Sequence, residues 1–227
     1  DIEDPAAPEE IVPINDNSRA SFKTLSPDGK YMFGIEGPVA TLYDLENGQK
    51  IKDFNFTSPI SHPDWSPDGT QLVYVRITGA AASDLEFKGG EIVQVDFNAE
   101  TLELENEVVL KARDVTYNYY YPAYSPDGDW VVYNRAKNEH PRADGHMGCY
   151  AAPDAELWLI SRDGSNDIRL DNANGVGELQ NSYPRWGPLP DDDILWLAFS
   201  SKRPYPLDPS IMPQIWIAGI NPELAQS

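Results

Sequence analysis

The sequence predicts an all-β fold, a β-propeller built of four-stranded antiparallel blades, of which about four are visible in the chain. Three observations predict it. A Ser-Pro-Asp-Gly motif recurs within the 227 residues, at 26–29, 66–69 and 125–128. A strand-length apolar run follows each copy. The 20 prolines and 16 glycines are many turn formers for this length, which favours short strands over a helical bundle.

The recurring motif has the composition of a tight turn. Proline presets its own φ, aspartate accepts hydrogen bonds from nearby backbone N–H groups, and glycine takes the positive φ that ends the turn. A degenerate fourth copy spans 187–193, and a His-Pro or Tyr-Pro pair precedes three of the copies, at His62, Tyr121 and Tyr183. We therefore assign the motif's aspartates a structural role, joining the first strand of each blade to the second.

The repeat divides the propeller, residues 19–227, into blades. The predicted blade boundaries are 19–57, 58–115, 116–175 and 176–222. Second strands are predicted at 31–35, 71–75, 130–133 and 194–199, and third strands at 40–45, 91–96, 156–160 and 214–218. Last strands are predicted at 52–56, 108–112 and 168–170. The fourth blade shows no last strand, and residues 10–14 are a candidate to supply it.

Residues 1–18 form an acidic lead-in whose first ten residues are mostly Asp, Glu, Pro and Ala, which predicts disorder. These ten residues contain neither the basic nor the apolar stretch of a signal peptide. A mature chain that has lost its signal and a piece of a longer protein both fit this beginning.

The charge and cysteine content exclude several classes of function. With 37 acidic and 17 basic residues the net charge is −20, which repels phosphate backbones, so we expect no nucleic-acid partner. No stretch approaches the roughly 20 apolar residues of a membrane-spanning helix. The single cysteine excludes an internal disulfide framework and a Cys-rich zinc site.

The repeat resembles the TolB-like β-propeller family. The resemblance rests on the Ser-Pro-Asp-Gly turn, the apolar strand after it, and a later strand such as 156–160 followed by Asp163-Gly164, and it covers roughly residues 20–220. It implies a scaffold or protein-binding module of the bacterial periplasm or cell surface. The family also includes propeller domains of larger peptidases and some polyuronate lyases.

The blade count departs from this family, whose members usually have six or more blades. Three arrangements stay open: a piece of a longer chain, two chains that combine, and a ring that closes with four blades. The partner is accordingly another protein, or further blades from the same or another chain. An open apolar edge would favour pairing with another chain.

An insertion at 138–150 in the third unit concentrates metal-ligating residues. It holds His140, His146 and Cys149, whose side chains suit copper, zinc or haem iron. Their spacing matches no established metal motif, and an exposed loop, a partner contact or an intermolecular disulfide fits as well. No cofactor is expected, with calcium or a transition metal as the alternative.

A run of tyrosines lies just before the third copy of the motif. It comprises Tyr117, Tyr119, Tyr120 and Tyr121, residues that are common in interfaces and are the candidate partner-binding residues. The alternative is that alternate residues pack between blades.

Catalytic signatures are absent from the sequence, so no catalytic residue is assigned. There is no Gly-x-Ser-x-Gly elbow, phosphate-binding glycine loop or His-Glu-x-x-His helix. The predicted function is a non-catalytic scaffold that binds another protein in the bacterial periplasm or at the cell surface. The alternatives are a metal-dependent lyase or hydrolase acting on polysaccharide, with metal at His140 and His146, and an accessory subunit of a larger redox assembly.

Overall fold

The computed structural model describes residues 21–138, 149, 152–188, 194–204 and 212–221. In these ranges the protein is a β-propeller of four blades, each an antiparallel sheet, as the repeat predicts. A four-residue helix, α1 (Asp171–Asn174), follows the third sheet. The lead-in at 1–18, with its candidate strand at 10–14, lies outside the described residues.

The strands of each blade follow one another in chain order. The first blade contains β1 (Phe22–Leu25), β2 (Tyr31–Glu36), β3 (Val39–Asp44) and β4 (Lys50–Asn55). The second contains β5 (Ile60–Trp65), β6 (Gln71–Ile77), β7 (Gly90–Asn98) and β8 (Glu103–Lys111). The third contains β9 (Tyr117–Tyr124), β10 (Trp130–Lys137), β11 (Glu156–Ser161) and β12 (Asp167–Arg169). The fourth contains β13 (Ser182–Trp186), β14 (Leu195–Ser201) and β15 (Gln214–Ile220).

Each Ser-Pro-Asp-Gly copy forms the same hydrogen-bonded turn between the first and second strands. In the first blade, Ser26 Oγ donates to Asp28 Oδ1 at 2.7 Å and accepts the Tyr31 N–H at 2.9 Å. Gly29 takes a φ of 71° and its N–H donates to the Ser26 carbonyl. The turns at Ser66 and Ser125 repeat this pattern. The structural role predicted for these aspartates is confirmed.

The described residues form three apolar core clusters, one between each pair of successive blades. Strand alternation sends Leu72 toward the first blade and its neighbour Val73 toward the third. In the third blade, Val131 packs toward the second blade and Val132 toward the fourth. Each middle blade is therefore apolar on both faces and needs a neighbour on each side.

Among the described strands, the extensive contacts between blades follow sequence order. Contacts join β1 to β5, β5 to β9 and β9 to β13. Within the described part of the chain, no contact of that extent joins the fourth blade to the first. The described strands of the first and fourth blades therefore do not pack against each other as successive blades do.

An ion pair links the second blade to the third at the turn side. Arg162 Nη1 lies 2.8 Å from Asp68 Oδ2, and its Nε donates to Gln71 Oε1 at 2.7 Å. Asp28 occupies the equivalent turn position in the first blade and bonds Ser26, the Lys30 N–H and the exposed Lys30 ammonium group, without an arginine. Substitution of Asp28 therefore reports the stability that the turn contributes. Substitution of Asp68 reports the turn together with the contact between blades.

We expect Asp28→Ala to lower the free energy of unfolding by about 1 kcal/mol, because the turn loses hydrogen bonds to a carboxylate. Asp68→Ala should cost about 1 kcal/mol more, because Arg162 also loses its partner. Urea unfolding of both variants measures this difference. Equal destabilisation would show that the Arg162 contact contributes no stability.

Candidate functional site

Three first strands carry the same bulge at an X-Pro pair. In β5, β9 and β13 the pairing register shifts so that two residues oppose one on the next strand. The first residue of each pair has a positive φ, 48° at His62, 53° at Tyr121 and 54° at Tyr183. Residues with side chains rarely adopt this region, and such outliers cluster at functional sites. The repeated bulge therefore indicates a candidate functional site at the first strands of these blades.

The rings of the three bulged residues and of Phe22 in β1 form a chain that we call the axial cluster: Phe22, His62, Tyr121 and Tyr183. Their successive ring centroids are 4.2, 4.1 and 4.4 Å apart, so the cluster links all four blades. His62 is buried, and neither of its ring nitrogens has a hydrogen-bond partner among the described residues. Burial, followed by the nearby Arg185 charge, lowers the pKa of His62 well below its usual range. The imidazole is therefore neutral at physiological pH.

A cavity of about 230 Å³, which we call the axial pocket, is lined by the residues that follow these bulges in the chain. Asp64, Ala123 and Arg185 line it from equivalent positions in the second, third and fourth blades. Asp64 Oδ2 accepts the Tyr124 N–H at 2.9 Å. Burial raises the pKa of Asp64 to about 6, against the lowering effects of this hydrogen bond and of Arg185. A half-buried carboxyl group with a raised pKa in a cavity is a functional-site candidate.

The fourth blade has an exposed apolar side, the open face, formed by Trp196, Ile215 and Ile217. Ile215 pairs with Ser200 of β14, and Ile217 pairs with Ala198. The alternate residues of β15, Trp216 and Ala218, pack toward the third blade. In the third blade, the equivalent residues of β11 are Leu157 and Leu159. These two leucines are 0% and 1% exposed under the fourth blade, whereas Ile215 and Ile217 are 82% and 68% exposed.

The outer edge of β15 adjoins the open face. Among the described strands β15 pairs with β14 alone, so no described strand lies along its outer edge. Apolar side chains next to the outer edge of a sheet form a surface that favours strand addition.

The predicted tyrosine run lies mostly in the core. Tyr119, Tyr120 and Tyr121 are buried between the second and third blades, whereas Tyr117 is half-buried with the Arg135 guanidinium 4.3 Å from its ring centre. Packing accounts for the three buried side chains. Partner binding by this run stays a prediction, and of its four tyrosines Tyr117 is the one with an accessible side chain.

The predicted metal residues are only partly visible. His140 and His146 lie outside the described residues. Cys149 is buried, and its Sγ lies 3.0 Å from the Leu85 carbonyl oxygen. Among the described residues no group of three or more His, Cys, Asp and Glu side chains could hold a metal ion. Metal binding by the 138–150 insertion stays a prediction, which metal analysis of the purified protein tests.

The comparisons with known proteins agree on the fold. No protein-family model matches the chain, and no curated protein matches it by sequence. An oligogalacturonate lyase in complex with manganese has a similar structure, with a TM-score of 0.52 and 18% identity over 89% of this chain and 50% of that one. An auxiliary nutrient-binding protein from Bacteroides thetaiotaomicron has a TM-score of 0.50 and 7% identity over 87% of this chain and 41% of that one.

A putative TolB from Agrobacterium tumefaciens scores lower, with a TM-score of 0.38 and 16% identity over 79% of this chain and 68% of that one. The chain thus spans half the length, or less, of the two chains with the higher scores. At these identities the likeness concerns the fold alone. No helix in the described ranges is long and apolar enough to cross a membrane. The chain is a β-propeller, with an axial pocket and one exposed blade face as its candidate sites.

We expect Leu159→Ala to lower the free energy of unfolding by about 3 kcal/mol, because it leaves a cavity between two blades. Ile217→Ala, the matched change at the equivalent exposed position, should cost less than about 1 kcal/mol. Urea unfolding of the purified chain measures both. A cost at Ile217 close to that at Leu159 would mean that the open face is covered in solution.

Asp64 should make stability fall as pH rises. Its pKa is about 6 in the folded protein and 3.8 in its ordinary state, so the folded chain holds this proton more tightly. The stability associated with that proton is present below about pH 4 and is lost as pH rises through about 6.

We therefore expect Asp64→Asn to match the original protein near pH 4 and to exceed its stability by about 3 kcal/mol at neutral pH. Asparagine can still accept the Tyr124 N–H. Urea unfolding across this pH range is the measurement. If the stability difference between the two proteins did not change with pH, the raised pKa of Asp64 would be wrong.

Proposed function

We propose that this propeller is a non-catalytic scaffold that binds another protein through the open face and edge of its fourth blade. One observation carries the proposal. Ile215 and Ile217 occupy positions at which the third blade buries Leu157 and Leu159, yet they face solvent. Contiguous exposed apolar residues are typical of protein–protein contact sites.

Binding combines two contributions. A strand of the partner lies along the outer edge of β15 and forms backbone hydrogen bonds there, which gives affinity with little dependence on sequence. Side chains of the partner cover Trp196, Ile215 and Ile217, and each isoleucine contributes about 1.5–3 kcal/mol when fully buried. Specificity comes from the fit of these side chains.

The charge of the protein restricts the partner. A net charge of −20 repels other strongly acidic proteins and attracts basic ones. We therefore favour a partner that presents an apolar strand flanked by lysine or arginine. The proposed location, the periplasm or cell surface of a bacterium, rests on the sequence resemblance to the TolB-like family.

We expect lysine at Ile215 and Ile217 to abolish partner binding, because charged residues on an edge strand block strand addition. The double variant Ile215→Lys/Ile217→Lys and the control Val176→Lys are each tagged and expressed in the source organism. Val176 is exposed and lies outside the open face, so its variant has a single lysine on a different surface. Quantitative affinity purification and urea unfolding are the measurements.

The expected result is a specific protein recovered with the original chain and with Val176→Lys, and lost with the double variant at unchanged stability. Recovery of the same protein by the double variant would contradict the proposal. So would a stable monomer that recovers no partner from its source.

A further inference from the structure

The axial pocket is separate from the open face and is not used by the proposed scaffold function. It lies between the first strands of the second, third and fourth blades. Its walls are aromatic and proline residues, namely Trp65, Tyr124, Trp186, Pro67, Pro126 and Pro188. At about 230 Å³ it has room for one small organic molecule. Rigid apolar walls with a few polar groups are typical of small-molecule sites.

The two charges in the pocket differ in sign and come from the same position of the repeat. Asp64 and Arg185 are equivalent residues in β5 and β13, and the third blade has Ala123 at that position. The small alanine leaves space between them. The Arg185 charge acts on Asp64 through space, and the described contacts include no ion pair between the two side chains. Arg185 is exposed, so its guanidinium is accessible to a ligand.

This arrangement selects a ligand that carries both charges. A guanidinium binds a carboxylate through paired N–H donors. A carboxylate binds an ammonium group, and tryptophan rings beside it add cation–π attraction. A simple anion would be repelled by the net charge of −20, whereas a zwitterion has no net charge and is not.

We propose that the axial pocket binds a free amino acid with an apolar side chain. The ligand carboxylate binds Arg185, its ammonium group binds Asp64, and its side chain packs against the aromatic and proline walls. No covalent step is involved. A free amino acid is favoured over an internal peptide segment because it carries both charges on one residue.

The test uses L-leucine and L-phenylalanine as probes, with N-acetyl-L-leucine and L-leucinamide as comparators that each lack one charge. Binding is followed by NMR of the tryptophan side-chain N–H signals in the full 227-residue chain. Trp186 is a direct reporter, because its Nε1–H donates to the Ala123 carbonyl at the pocket wall. We expect saturable shifts at Trp65 and Trp186 with at least one of the two amino acids, and at least tenfold weaker binding of both comparators.

Arg185→Gln and Asp64→Asn should each weaken amino-acid binding at least tenfold. Asp64→Asn preserves side-chain size and Arg185 is exposed, so folding should persist in both variants. Lys202→Gln, at an exposed cation outside the pocket, is the matched control and should bind as the original protein does. No saturable shift with either amino acid would overturn the proposal. Equal binding of the acetylated comparator, or unchanged binding by Arg185→Gln, would do so as well.

Discussion

The structure depends on apolar packing between the faces of successive blades. In a β-strand, neighbouring side chains point to opposite faces, so a strand such as β6 supplies Leu72 to one interface and Val73 to the next. A single blade would expose both of its apolar faces to water. Each face is therefore stabilised by the blade that packs against it. The same alternation in β15 presents Ile215 and Ile217 on a face that the described strands leave uncovered. The scaffold proposal follows directly from this constraint.

The inner ends of the blades show how the same architecture creates a pocket. The bulges at His62, Tyr121 and Tyr183 hold non-glycine residues at positive φ, which costs on the order of 1–3 kcal/mol each. Ring contacts within the axial cluster offset part of this cost. The bulges bring Asp64 and Arg185 to the pocket, where the raised pKa of Asp64 is a further cost to stability. Backbone strain and a shifted carboxyl pKa in one place are features that cluster at functional sites.

Local signals explain what the sequence predicts well. Turn residues and strand-length apolar runs determine hairpins, so the blades, most strand positions and the role of the motif's aspartates are predictable. Burial depends on neighbours in space. The tyrosine run is therefore ambiguous from sequence, and three of its members lie in the core. Asp64 and Arg185 fall in one repeat position, in Pro-Asp-Trp and Pro-Arg-Trp, and this change of charge is the signal that could have indicated the pocket.

The most direct test of whether the open face is exposed is to compare the solvent accessibility of four residues by methyl NMR in one sample. A soluble paramagnetic agent is added to the monomeric chain, and broadening is compared between Ile215 and Ile217 and their buried equivalents Leu157 and Leu159. The account predicts strong broadening of both isoleucines, protection of both leucines, and protection of all four in the complex with the partner. Protected isoleucines in the monomer would show that the fourth blade is already covered and would contradict the account.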